Sequence, residues 1–224
     1  MENGIGKAQE TFRTHLQNCD REAGLWYAVS LLEEGMPVNL LYERVLTPAL
    51  NSVFVCRANE SEMIWREHVM TGIVRSAVEA SFPYVLRARD ALHLDAPLGR
   101  VMLACPEEEY HELGARMGAD FYTMAGYEAI FIGANTPKSN ILSAARELKP
   151  DIVNLSISNY LNLVPLERMI ADLRSALPVG TKINVSGGAF RLTKKAAEDF
   201  GADALVNTYD DIVRGRGTAH EDRS

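Results

Sequence analysis

Apolar positions recur at three- and four-residue spacing from Lys7 to Arg89, as at Leu25, Ala28, Leu31 and Leu32 and again at Leu40, Leu41, Val45 and Leu46. A stripe of that period lies along one face of an α-helix, so this stretch is predicted to be amphipathic helix. Turn and cap residues at 18–20, at 35–37 and near Asn59 divide it into about four helices, and the short connections predict an up-and-down bundle. The pattern changes after Leu92. Residues 93–100, with Pro97 and Gly99, read as a linker, and beyond them short runs rich in Val, Ile and Leu alternate with helical periodicity. Strands are predicted at 101–104, 129–132, 152–156, 182–185 and 204–206, with helices beginning near Glu109, Pro137, Leu166, Thr193 and Tyr209. Strand–helix alternation with right-handed crossovers gives a parallel, doubly wound sheet. The expected fold is therefore α/β: a four-helix bundle over 1–92, then a Rossmann-like five-stranded parallel sheet over 101–224.

Ligands of such sheets bind at the carboxyl ends of the strands, which directs attention to the loops there. The first, Glu107 to Gly114, carries His111 with Glu109 two residues before it and Gly114 three after. A neutral imidazole ligates a metal through one nitrogen while a carboxylate accepts the hydrogen bond of the other and fixes the tautomer, so His111 is the candidate metal ligand and Glu109 its orienting partner. Gly114 would admit close approach of a planar ligand. From spacing alone, a solvent-exposed histidine among acidic neighbours is the competing reading. Ser156 and Ser158 follow the third strand and Gly187-Gly188 the fourth. Together they offer hydroxyl donors beside a slot free of side chains; an isolated Gly-Gly is an ordinary turn.

Composition narrows the partners. A net charge of −7 with no basic block argues against nucleic acid as a direct ligand. Residues 1–10 have no apolar segment of the signal-peptide kind and no run is long enough for a bilayer, so the expectation is a cytoplasmic protein with no membrane contact. Cys19, Cys56 and Cys105 are spaced for neither a disulfide framework nor a CxxC metal site and are expected as small buried hydrophobes.

Taken together, Glu109-x-His111-x-x-Gly114, Ser156-x-Ser158 and Gly187-Gly188 resemble the cobalamin-binding domain family, whose pattern is Asp-x-His-x-x-Gly, Ser-x-Leu, Gly-Gly; the Gly133-Ala134-Asn135-Thr136-Pro137 turn is similar as well. Glu109 stands where the family usually has Asp, and Ser158 where it has Leu. The resemblance implies a corrinoid held between the bundle, as a helical cap, and the sheet domain. It implies His111 as lower axial ligand to cobalt and a nucleotide tail entering the sheet past Ser156, Gly187 and Gly188. Within a predicted helix over 61–86, Glu67-His68 looks like the Glu-His pair of the family's light-sensing members, but Arg57 stands where those members carry a tryptophan. A solvated helix face is the plain alternative for that pair. Trp26, Tyr27, Trp65 and Phe82 are expected in the core. The resemblance implies a cobalamin sensor, a photoreceptor loaded with adenosylcobalamin or methylcobalamin. It would act without catalysis, through contacts with a regulatory or enzyme partner or its own oligomer. The rival is a corrinoid carrier serving methyltransferases; a third reading is a heme or bilin (biliverdin) sensor, with Cys105 and Arg57 as its contacts. Apolar residues of the first two helices suit either the bundle core or a homo-oligomer.

Overall fold

A computed structural model describes residues 2–53, 60–193 and 195–221. The chain forms two compact units, Met1–Arg87 and Ala88–Ser224. Cys56, Arg57 and the break near Asn59 lie outside the described residues.

The first unit is helical. Its elements are α1 (Glu2–Gln17), α2 (Arg21–Glu33), a continuous path of α3 (Val38–Leu40), a π-helical stretch (Leu41–Leu46) and α4 (Thr47–Val53), and then α5 (Glu60–Asp90). Counting the α3–α4 path as one rod gives the four helices of the periodicity. Asp20 caps α2 by accepting the Ala23 N–H at 3.0 Å, and Gly35 ends the following turn at φ +92°. Phe12, Leu16, Ala28, Leu41, Tyr42, Leu46 and Val74 are fully buried. A Cβ on Gly24 of α2 would lie 2.9 Å from the Ile73 side chain of α5, so the glycine sets how closely these two helices pack.

Three aromatics expected in this core are outside it. Trp26 is 61% exposed, and Trp65 and Phe82 are exposed as well; Tyr27 is half-buried. The inward face of α2 is set by Gly24, Ala28, Leu31 and Leu32, and Trp26 falls on the opposite side of that helix. On α5 the Arg66 guanidinium lies over the Trp65 ring at 5.0 Å.

The second unit contains β1 (Arg100–Ala104), β2 (Glu128–Phe131), β3 (Ile152–Ser156), β4 (Lys182–Ser186) and β5 (Ala204–Leu205). They form one parallel sheet in the order β2-β1-β3-β4-β5. The connections are α6 (Leu113–Met124), α7 (Lys138–Leu148) and α8 (Leu166–Ala176), and α9 (Tyr209–Glu221) follows β5. One face of the sheet is apolar: Val153, Leu155, Ile183 and Val185 pack with Ile141 and Ala145 of α7 and Leu166, Ile170 and Leu173 of α8. The other face, with α6 and α9, is polar at its centre. Asn154 pairs in register with Asn184 and Ser156 with Ser186; Asn154 Nδ2 donates to Ser186 Oγ at 2.9 Å and Asn184 Nδ2 to the Tyr122 hydroxyl of α6 at 3.1 Å.

Two helix starts are corrected. The helix expected near Glu109 begins at Leu113, because Glu108 takes a left-handed turn at φ +64° that breaks helical continuity. The helix expected near Thr193 is replaced by single turns, Gly188–Leu192 and Glu198–Phe200. Ala189, Phe190, Ala197 and Phe200 are buried there, the Phe200 ring meets Phe190 edge-on at 5.8 Å, and Gly201 turns the chain at φ +81°.

Of the paired glycines at the end of β4, Gly187 holds the sheet together. It sits at φ +109°, and a Cβ there would overlap the Ile157 carbonyl. Gly188 has nothing within 4 Å of a Cβ. Gly187→Ala is expected to destabilise the sheet unit by about 2 kcal/mol or more, and Gly188→Ala to stay within about 0.5 kcal/mol. Hydrogen exchange at the β3 and β4 amides reads both; equal effects of the two substitutions would contradict this account.

Candidate functional site

In the strand order, β1 is flanked by β2 on one side and β3 on the other, so the chain reverses direction across the sheet at the carboxyl ends of β1 and β3. A crevice forms at such a switch point. The loop 105–112 leaves β1 there and brings Glu109 and His111 to it. The Glu109 side chain is fully buried, whereas that of His111 is 60% exposed, so one residue is the anchor and the other the presented group.

The anchor is satisfied by donors on both oxygens. Glu109 Oε1 lies 2.6 Å from His111 Nδ1 and accepts the His111 backbone N–H at 3.1 Å. Oε2 accepts the backbone N–H groups of Ser158 and Asn159, each at 2.8 Å, and Asn162 Nδ2 at 3.3 Å. Burial alone would raise the pKa of this carboxyl. The bond from His111 and the backbone N–H donors of Asn159, Ser158 and His111 more than offset it, holding the pKa at about 2. A carboxylate held ionised in this way keeps the proton on His111 Nδ1, and Nε2 is then the nitrogen that would meet a metal.

The motif residues fall into different roles. Ser158 contributes its backbone amide to Glu109, a donation to which side-chain identity is indifferent, so serine serves there as well as another residue. Ser156 is buried at the end of β3. A Cβ on Gly114 or on Gly188 would meet no atom within 4 Å, so the open space expected beside the motif is present at those two glycines and is filled by protein backbone at Gly187. Cys105 is buried beneath the loop, its Sγ 3.8 Å from the His111 carbonyl. Burial, then the charges of Glu109 and Glu112, push its thiol up to about 12, so it is protonated at neutral pH. Cys19, by contrast, is half-buried. Glu67 is half-buried and His68 exposed on α5 of the helical unit.

Among the described residues no group of three or more His, Cys, Asp and Glu could hold a bare metal ion. A lone histidine such as His111 would suit only a metal that arrives with its other ligands in a macrocycle. Beneath the site, Asn154 Oδ1 is buried without a hydrogen-bond partner among the described residues, an acceptor that an entering polar group would satisfy.

Roles for Asn154, Asn162 and Asn184 went unnoticed in the sequence. Asn159 and Asn162 reach Glu109 from the β3–α8 loop, and Asn154 and Asn184 line the polar sheet face. The strands carried a signal for the second pair: Ile-Val-Asn-Leu-Ser and Lys-Ile-Asn-Val-Ser place an amide two residues before a serine in interior parallel strands, where unbroken apolar runs are usual.

Glu109 ties the site to stability. Its folded pKa of about 2 lies below the ordinary value of 4.5, so its contribution is complete above pH 4.5 and is lost as pH falls toward 2. Glu109→Gln is expected to cost the sheet unit roughly 3 kcal/mol at neutral pH, with the difference from wild type shrinking below about pH 4.5 in pH-dependent unfolding. A difference that stays constant down to pH 2 would contradict an ionised anchor.

Residues 99–220 match the family described as B12 binding domain. The HTH-type transcriptional repressor CarH of Myxococcus xanthus is 30% identical over 166 residues, covering 73% of this chain and 52% of that protein. A corrinoid protein of Desulfitobacterium hafniense is 27% identical over 51% of this chain and 53% of its own length. The chain thus spans about half the length of these curated relatives. Among solved structures, the monomethylamine corrinoid protein of Methanosarcina barkeri superimposes with a TM-score of 0.75 at 15% identity, covering 94% of this chain and 97% of that one, a likeness of fold.

Proposed function

We propose, for a chain that belongs to the B12 binding domain family, that it holds a corrinoid with His111 as the lower ligand to cobalt. The observation that carries this reading is the buried, ionised Glu109 bonded to His111 Nδ1, which presents a single imidazole of fixed tautomer at the switch point of the sheet. The remaining residues fit the same group. A Cβ at Gly114 or Gly188 would meet no atom within 4 Å, and Ser156 and Asn154 are buried polar groups of β3. When bound, a corrinoid supplies a cobalt ion whose upper ligand can be lost to light or exchanged. The protein's part is to bind, to orient His111 and to keep its tautomer.

The output we assign is sensing. In this reading the chain is a photoreceptor loaded with adenosylcobalamin or methylcobalamin, not an enzyme, and loss of the upper ligand changes its contacts with a protein partner or a second copy. Support comes from the similarity to the repressor CarH, and Glu109, where the family usually has Asp, resembles the form of the motif in the light-responsive members. The role of Glu67 and His68 at the upper ligand rests on the sequence resemblance alone.

The second reading, a corrinoid carrier for methyl transfer, is favoured by the relatives named as corrinoid proteins, including a trimethylamine corrinoid protein of Methanosarcina acetivorans 29% identical over 116 residues. Absorption spectra after incubation with adenosylcobalamin and gel filtration test both. Retained corrinoid in wild type, a spectrum altered in His111→Ala, and a change of oligomer or partner affinity under green light are expected of the sensor. Retention with no light response, and methylation of the reduced cobalt by a methyltransferase, would replace the sensor with the carrier. Failure to retain any corrinoid would overturn the cobalamin assignment and bring heme or biliverdin forward.

A further inference from the structure

The loop that carries Glu109 and His111 is shaped from outside. Glu108 sits in the left-handed region at φ +64°, a conformation disfavoured for a residue with a Cβ, and it is exposed, so burial of its side chain does not hold it there. The β2–α7 loop does. Asn135 Oδ1 accepts the Glu108 N–H at 2.9 Å, and the Asn135 N–H donates to the Glu109 carbonyl at 2.8 Å. One residue thus brackets the Glu108–Glu109 peptide from both ends. Asn135 is itself left-handed at φ +48°, which asparagine tolerates better than most residues. On either side the two loops are stitched further: the Cys105 N–H donates to the Gly133 carbonyl and the Thr136 N–H to the Cys105 carbonyl, both at 3.0 Å. From the other flank, Asn162 Nδ2 donates to the Glu108 carbonyl at 3.2 Å.

We propose that Asn135 is a positioning residue for the Glu109–His111 pair. By holding Glu108 left-handed, it sets the direction in which the Glu109 side chain leaves the backbone and enters its buried donors, and through Glu109 it aims the His111 ring. Without the Asn135 acceptor, Glu108 relaxes toward the right-handed or extended regions, Glu109 loses its alignment with the Ser158 and Asn159 amides, and His111 loses its fixed tautomer. The purpose given to this clamp rests on the corrinoid reading above; its mechanism rests on hydrogen bonds present in the protein alone.

The test compares the full chain with Asn135→Ala, with Asn135→Asp, which keeps an acceptor at the same place, and with Asn135→Ala combined with Glu108→Gly, which removes the cost of the left-handed turn. In ligand-free protein, nitrogen NMR of the His111 ring, assigned by its loss in His111→Ala, is expected to show one Nδ1–H tautomer in wild type. In Asn135→Ala it should show a mixture of tautomers, and in both other variants a return to the single form. Adenosylcobalamin affinity should fall about tenfold in Asn135→Ala and recover in Asn135→Asp. A wild-type tautomer signal in Asn135→Ala would overturn the proposal, and so would a loss that neither other variant restores. The expected NMR series in a wild type that retains no adenosylcobalamin would uphold the clamp and defeat the corrinoid reading, so the two fail separately.

Discussion

The structure around the site depends on one buried charge. A carboxylate taken out of water must be compensated locally, and among the described residues no Lys or Arg pairs with Glu109. Backbone N–H groups from its own loop and from the β3–α8 loop do so, together with the His111 ring and the Asn162 amide. That choice has consequences in both directions. Toward stability, it fastens the carboxyl ends of β1 and β3 to each other. Toward the candidate site, it holds an exposed imidazole by its Nδ1.

The sheet supplies the rest by dividing labour between its faces. Val153, Leu155, Ile183 and Val185 lock β3 and β4 against α7 and α8, which frees the opposite face from having to form a dry core. That face carries Asn154, Ser156, Asn184 and Ser186 and keeps one buried acceptor without a partner among the described residues. Unsatisfied buried polar atoms are few in folded proteins, and a ligand site is one of the places where they are retained. Gly187 belongs to the same division: it lets the β4 end pass against Ile157, while Gly188 beside it keeps the space.

Much of this was legible in the sequence. The five strands fall within a residue or two of their expected places, since short apolar runs between turns are a direct signal of interior parallel strands. The helix start at Leu113 was misplaced because acidic residues at 107–109 mimic a helix N-terminus, and only the tertiary bonds to Asn135 and Asn162 make the left-handed Glu108 tolerable. The roles of the asparagines are hidden for the same reason. Asn135, Asn159 and Asn162 act through long-range contacts that no local pattern announces. Trp26 misled in another way: aromatics are commonly buried, but small residues can define a helix's inward face, as Gly24 and Ala28 do on α2.

The central claim is that Glu109 fixes His111 so that a single histidine nitrogen meets the cobalt of a bound corrinoid. Electron paramagnetic resonance of the cobalt(II) form tests it most directly, in protein whose histidine nitrogens are isotopically labelled. The account predicts nitrogen splitting that changes from a triplet to a doublet on labelling and disappears in His111→Ala. Splitting indifferent to the histidine label would contradict it, because the lower ligand would then come from the corrinoid's own base.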